Sequence, residues 1–143
     1  MAVSMAVLRE HVLGRDARTT GGFVAAALAL AVLVVGVFFA PSVDWFPAYV
    51  VSLVGAGAVG FSLAAANAYL NRGIAASVLL AWSGLLPFWV PYAFTDAPIG
   101  REPTVESATS TLLVGPAIPA LVLGAVAYGV GIGVHALQRR ASE

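Results

Sequence analysis

The sequence contains no cysteine and no lysine, and charged residues make up only 10% of its 143 positions. The lack of cysteine excludes a disulfide framework, a thiolate metal site and a thiol nucleophile. Soluble domains carry about 25% charged residues, so this chain has too little charge to build a water-facing surface. The composition therefore excludes a soluble globular protein.

Charge is missing altogether from four long apolar segments, which comprise residues 22–40, 46–70, 73–94 and 112–137. Roughly 20 apolar helical residues cross the hydrocarbon core of a bilayer, and an uncharged stretch of about 18 is the usual threshold for a span. The pattern predicts an all-α, polytopic membrane protein, a bundle of four transmembrane helices. We expect it to be a multi-pass protein of the cell membrane, with membrane lipid around it.

The arginines predict how the bundle is oriented. With four spans, the chain before the first span, the turn after the second and the chain after the fourth share one side, which holds Arg9, Arg15, Arg18, Arg72, Arg139 and Arg140. The other side receives Asp44, Asp96, Arg101, Glu102 and Glu106. Because an excess of arginine in short loops marks the cytoplasmic side, both termini are expected there. The predicted division is a cytoplasmic arm at 1–20, a four-helix domain at 21–138 and a cytoplasmic tail at 139–143.

The N-terminal arm carries apolar residues at helical spacing, at Met1, Met5, Leu8 and Val12. Such a pattern is typical of a short helix in the membrane interface whose arginines approach anionic headgroups. Three arginines alone bind a membrane weakly. A short interfacial helix and a disordered arm therefore fit the sequence equally well.

The second segment contains a glycine motif, in which Gly55, Gly57 and Gly60 fit G-x-G-x-x-G after an apolar run. This resembles the opening of many flavin- and NAD-binding domains, which implies a strand, a tight turn and a helix that holds a dinucleotide. The motif needs an acidic residue about 20 positions onward, whereas the next acid after Gly60 is Asp96. We predict instead an unbroken helix through residues 50–68, with no dinucleotide and no nucleic acid as ligand.

Small residues form two stripes at every fourth position. The stripe of the second segment comprises Ser52, Ala56, Gly60, Ala64 and Ala68, and the shorter one of the fourth segment comprises Ala125, Gly129 and Gly133. In lipid, small residues at this spacing let helix backbones approach closely. We expect these faces to make the tight helix contacts, either within the bundle or with a partner.

Prolines occur in two pairs, Pro87 with Pro91 in the third segment and Pro116 with Pro119 in the fourth. A proline inside a helix removes the hydrogen bond to the carbonyl four residues earlier and kinks the helix. One interpretation is a carbonyl-lined outer cavity that these prolines form with Ser83, as in the broken helices of transporters. The other is that hydroxyls, water or neighbouring helices satisfy the freed carbonyls.

The apolar segments lack the ionisable side chains on which several classes of membrane protein depend. Proton-coupled transporters, pumps and voltage sensors depend on ionisable residues at membrane depth, and no Asp, Glu, Lys or Arg occurs there. The sequence also has no H-E-x-x-H motif and no serine–histidine–aspartate grouping, so we expect neither an enzyme nor a cofactor nor a metal. The polar residues Ser52, Ser62, Asn67, Ser77, Ser83 and Tyr128 are expected to bond within the bundle.

Two functions fit this pattern. The first is a non-enzymatic accessory or structural subunit that packs through its small-residue faces against a copy of itself or a larger membrane complex. The alternative is a small permeation or lipid-handling protein that uses an outward-facing cavity at the proline-kinked ends of the third and fourth spans.

Overall fold

The computed structural model describes residues 5–40, 45–94 and 104–142. Within these ranges the chain forms no strand, and its helices are α1 Met5–Leu13, α2 Ala17–Phe38, α3 Trp45–Asn71, α4 Ile74–Phe94, α5 Val105–Val114 and α6 Ala117–Ala141. Four helical segments are long and apolar enough to cross a membrane. The prediction of an all-α chain with four such segments is therefore confirmed.

A capping group determines where the first long helix begins. Asp16 is the N-cap of α2, and its carboxylate accepts hydrogen bonds from the hydroxyl of Thr19 at 2.7 Å and from its N–H at 2.8 Å. Such a cap satisfies an N–H group that has no partner inside the helix. Both bonds hold the pKa of Asp16 below its usual value. Helix α2 thus begins at Ala17, ahead of the apolar segment that begins at residue 22. The N-cap determines where the helix begins, whereas hydropathy predicts only where it would enter the membrane.

The turn between α3 and α4 is only two residues long. Arg72 adopts a left-handed conformation with φ 57°, and its N–H donates to the carbonyls of Asn67 and Ala68 at 3.1 and 3.2 Å. These bonds close the last turn of α3 in the way that a C-terminal glycine usually does. Helix α4 therefore runs back along α3.

The fourth apolar segment differs from its prediction. Instead of one helix over 112–137, the chain breaks at Gly115–Pro116, so that Pro116 is the N-cap of α6 and Pro119 lies in its first turn. A proline loses no helix hydrogen bond there. The prolines of the fourth segment therefore lie where α5 ends and α6 begins, and Gly115 and Pro116 between the two helices keep right-handed helical dihedral angles. Pro87 and Pro91 do lie inside α4, which continues through both.

The contacts show which helix ends lie together. The Arg15 N–H donates to the Asn71 carbonyl at 2.9 Å, and the Tyr69 hydroxyl donates to Gln138 at 2.5 Å. The start of α2, the end of α3, the start of α4 and the end of α6 therefore form one end of the bundle, which we call the arginine end. Helix α4 lies at the centre of the bundle. Half of the residues in its most apolar stretch are buried, whereas only 11% of the corresponding stretch of the segment that contains α2 is buried.

Helix α3 is continuous from Trp45 to Asn71, which confirms the unbroken helix predicted for residues 50–68. Gly55, Gly57 and Gly60 lie in its interior, and the strand and turn of a dinucleotide-binding motif are not formed there. In a helix interior the backbone N–H groups are bonded to carbonyls four residues earlier. The N–H groups of these three glycines therefore differ from the free donors at a helix N-terminus with which a dinucleotide-binding motif holds a pyrophosphate.

Several predicted features lie outside the described residues, namely Met1 of the arm and the acids and arginine assigned to the opposite side, Asp44, Asp96, Arg101 and Glu102. Glu106 is described, and it lies exposed in the first turn of α5. The arm itself forms helix α1, on which Met5 and Val12 are exposed.

Candidate functional site

The small-residue stripe of α3 lies against α4. Ala56, Ala64 and Ala68 are buried, while Ser52 is partly exposed. At Gly60 the two backbones touch, because an added Cβ would lie 2.7 Å from the carbonyl oxygen of Leu80 and 2.9 Å from the Cα of Gly84. Only glycine fits this crossing point without moving one of the helices.

The stripe predicted on α6 makes no such contact within the described bundle. Ala125, Gly129 and Gly133 are exposed, and an added Cβ at either glycine would meet nothing within 4 Å. The buried face of α6 is instead formed by Ala120, Gly124, Ala127 and Gly131. Helix α6 is rich in small residues on two faces, so spacing alone could not identify the face that packs inward.

This inner face of α6 packs as tightly as the α3–α4 crossing. An added Cβ at Gly124 would lie 2.6 Å from the Cα of Val78 on α4. A Cβ at Gly131 would overlap the carbonyl oxygen of Ala65 on α3 and lie 2.7 Å from the Cβ of Ala68. Glycines on α6 therefore place this helix against both α3 and α4.

A group of hydrogen-bonded polar side chains, the polar cluster, lies at the arginine end and comprises Thr20, Asn67, Asn71 and Ser77. Asn71 joins α3 to the start of α2, because its Oδ1 accepts from the Asp16 N–H at 2.9 Å and its Nδ2 donates to the Thr20 hydroxyl at 2.7 Å. The turn before Asp16 contains Gly14, whose φ of 96° is accessible to glycine. A side chain at Gly14 would also overlap the Asn71 amide.

The other half of the polar cluster joins α3 to α4. Asn67 Nδ2 donates to the Gly73 carbonyl at 2.5 Å and to the Ser77 hydroxyl at 2.9 Å, and Ser77 donates in turn to the Ala64 carbonyl at 2.9 Å. Deeper in α4, the Ser83 hydroxyl donates to the Leu80 carbonyl at 2.9 Å. The expectation that Asn67, Ser77 and Ser83 bond within the bundle is confirmed, whereas Ser62 is exposed. The bonds of Asn67 and Ser77 connect α3 to α4, that of Ser83 stays within α4, and all three side chains are fully buried.

Positive charge is concentrated around this end of the bundle. Arg15, Arg72 and Arg139 lie within electrostatic range of His135, whose ring packs edge-on against Tyr69 with centroids 5.3 Å apart. Among the described residues, Arg72 Nε and His135 Nε2 are buried without a hydrogen-bond partner. Glu10 accepts a hydrogen bond from Arg15 Nε at 2.5 Å, and this bond lowers the pKa of the Glu10 carboxyl.

Two grooves lie on the surface of the described bundle. The α1–α2 groove, of about 770 Å³, is at the arginine end, and its lining includes Arg9, Glu10, Arg15, Thr20, Gly21 and Val24. The α2–α5 groove, of about 520 Å³, is almost entirely apolar, and its lining includes Val32, Gly36, Trp82, Leu86, Thr109 and Leu112.

The residues proposed for an outer cavity line neither groove. Ser83, Pro87 and Pro116 are buried in the packed interior, while Pro91 and Pro119 are partly exposed. The structure therefore gives Ser83, Pro87, Pro91, Pro116 and Pro119 no shared groove among those described.

The described residues contain no group of three histidine, aspartate or glutamate side chains that could hold a metal ion. In comparisons with known proteins, no family model matches the chain, and no curated protein and no solved structure matches it. The arrangement of the chain's own residues is thus the basis for assigning a function.

Proposed function

We propose that the chain is a small, non-enzymatic integral membrane protein that acts as an accessory or structural subunit. In this proposal it docks onto a copy of itself or onto a larger membrane complex through the open stripe of α6, formed by Ala125, Gly129 and Gly133. The single observation that carries the proposal is that this stripe is exposed while another face of α6 packs inward.

The chemistry of the open stripe suits a second helix in lipid. Nothing lies within 4 Å of a Cβ added to Gly129 or Gly133, so a neighbouring backbone has room to approach. The side chains beside them, Val122 and Val126, are exposed and apolar. Each glycine in a helix interior costs about 1 kcal/mol relative to alanine. Close backbone contact with a partner would offset this cost, because helix association in lipid depends on van der Waals packing.

The proposed orientation places the arginine end, and with it both termini, in the cytoplasm of a multi-pass cell-membrane protein. The support is the gathering of Arg9, Arg15, Arg72 and Arg139 at one end of the described bundle, together with the rule that cytoplasmic loops carry the excess of arginine. Helix α1 would then lie in the cytoplasmic interface, with exposed Met5 and Val12 toward the acyl chains.

Replacing Gly129 and Gly133 together by leucine is expected to dissociate the assembly. Two added side chains would hold the partner helix away, whereas the fold of the chain should survive because neither position contacts protein. Native mass spectrometry from mild detergent would measure the effect, since one chain has a mass of 14.6 kDa. The wild type should appear in a larger complex and the double variant as the single chain.

The matched control replaces Val130 and Val134 by leucine, because both valines are exposed on the same helix but lie off the stripe. This control should keep the complex. A wild type that runs as a single chain, or a complex that survives G129L/G133L, would contradict docking through this face.

A lipid-handling role is the second candidate, and the apolar α2–α5 groove favours it. The site would then lie between α2, α4 and α5, not at the prolines. Gly36→Leu separates the two candidates, because Gly36 lines the groove and a Cβ added there meets no protein atom within 4 Å. Loss of copurified lipid with the complex intact would favour lipid handling.

A further inference from the structure

The α1–α2 groove combines charged walls with an apolar floor. Arg9, Glu10 and Arg15 come from α1 and the turn that follows it, while Gly21 and Val24 come from the outer surface of α2. Its volume of about 770 Å³ exceeds what a single ion would fill. An occupant that matches both parts needs a charged head and an apolar tail.

The floor of the groove opens onto the side of the bundle that faces the acyl chains. Helix α2 is the least buried of the four membrane-crossing segments. A Cβ added at Gly21 would meet nothing within 4 Å, so the surface of α2 is open at this position. An acyl chain lying along Gly21 and Val24 would replace hydrocarbon contacts with protein contacts at no cost in desolvation.

The walls of the groove favour an anion. Within the described residues Arg9 forms no ion pair, and its exposed guanidinium is available. Arg15 donates a hydrogen bond from its Nε to Glu10. The other N–H groups of its guanidinium remain available as donors to an anion. Arg72 lies within electrostatic range of Glu10 and adds to the positive potential. Guanidinium groups bind phosphate oxygens through charge-assisted hydrogen bonds.

We propose that the α1–α2 groove binds one anionic phospholipid, with the phosphate headgroup against Arg9 and Arg15 and one acyl chain along Gly21 and Val24. Basic pockets beside transmembrane helices recognise anionic headgroups in this way. A free phosphate ion would leave the apolar floor uncovered. The site is independent of the docking face on α6, because α2 and α6 present different surfaces.

The test compares lipids on the full chain in neutral detergent by native mass spectrometry, with phosphatidylglycerol and phosphatidylcholine as probes. Phosphatidylglycerol should bind more tightly, and Arg9→Gln should weaken its binding by about fivefold, the effect of one arginine near an anionic headgroup. The matched control is Arg140→Gln, which removes the same charge from the exposed end of α6 and should leave the affinity unchanged.

The apolar part of the site is tested by Gly21→Leu, which should block the acyl chain and lower phosphatidylglycerol binding. Gly22→Leu is its matched control, because this neighbouring position is equally open but does not line the groove. Melting temperatures near that of the wild type show that each variant is folded.

Three results would overturn the proposal. Equal losses of phosphatidylglycerol affinity in R9Q and R140Q would show that the lipid is attracted by the total positive charge of the arginine end and not by the α1–α2 groove. Unchanged binding in G21L would show that no acyl chain lies on α2. Binding of sn-glycerol 3-phosphate as tight as that of phosphatidylglycerol would show a site for a free anion.

Discussion

Gly60→Ala should lower the free energy of unfolding by about 1–3 kcal/mol, the usual cost of inserting a group into a packed core. The added Cβ would lie within 3 Å of two backbone atoms of α4, the Leu80 oxygen and the Gly84 Cα. Backbone atoms have no rotamer by which to move away, so the helices themselves must separate. Gly60→Leu should prevent folding altogether, and thermal unfolding in detergent measures both effects.

Gly55 provides the matched control on the same helix, because an added Cβ there meets nothing within 4 Å. Gly55→Ala should be neutral or stabilise the protein by up to about 1 kcal/mol, the difference in helix propensity. Val59→Leu, at an exposed position off the stripe, should also be tolerated. A Gly60→Ala variant that melts at or above the wild-type temperature would show that α3 and α4 do not cross at Gly60.

Asn71→Leu should release the turn that joins α1 to α2. The substitution removes the acceptor of the Asp16 N–H and the donor to the Thr20 hydroxyl. A part-buried N–H without a partner lowers stability by about 1–3 kcal/mol. We expect most of this loss as easier local opening of the α1–α2 turn. Hydrogen exchange of the peptide that contains Arg15 and Asp16 should become faster than in the wild type.

Ser62→Leu is the control for this experiment, because Ser62 is an exposed polar residue on the same helix. It should leave exchange at residues 14–17 unchanged. If Asn71→Leu also leaves that exchange unchanged, the polar cluster does not fix the α1–α2 turn.

Hydropathy predicts the four long apolar helical segments well, because a bilayer would impose one requirement on every residue within it. The ends of the helices follow other rules. Asp16 begins α2 ahead of the apolar segment through hydrogen bonds to Thr19. Pro116 and Pro119 begin α6 within a segment that reads as one continuous run. These helix boundaries depend on local backbone hydrogen bonding. Hydropathy averaged over a segment does not detect such bonds.

The packing faces were harder to predict. On α3 the longest stripe of small residues lies against α4, with the closest approach at Gly60. Helix α6 has small residues on two faces. The face with Gly124 and Gly131 is buried, whereas the face with Gly129 and Gly133 is exposed. The choice depends on which neighbours meet α6 in three dimensions. Spacing along one helix contains no information about those neighbours.

Asn71 was not among the polar residues predicted to bond within the bundle, because it lies just beyond the apolar run that ends at Leu70. Its spacing of four residues from Asn67 places both amides on one face of α3, and this was the available signal. Its partners Asp16 and Thr20 are 55 and 51 residues away. The α1–α2 groove could not be predicted from the sequence either, because it forms only when α1 folds against the start of α2.

Single-cysteine labelling tests the central claim most directly, namely a four-span bundle with its arginine end in the cytoplasm. The sequence has no cysteine of its own, and Arg18, Thr104 and Ser142 are all exposed. In intact cells, a membrane-impermeant maleimide should label Thr104→Cys, and it should label Arg18→Cys and Ser142→Cys only after permeabilisation. Labelling of Ser142→Cys in intact cells, or protection of Thr104→Cys, would contradict the proposed arrangement.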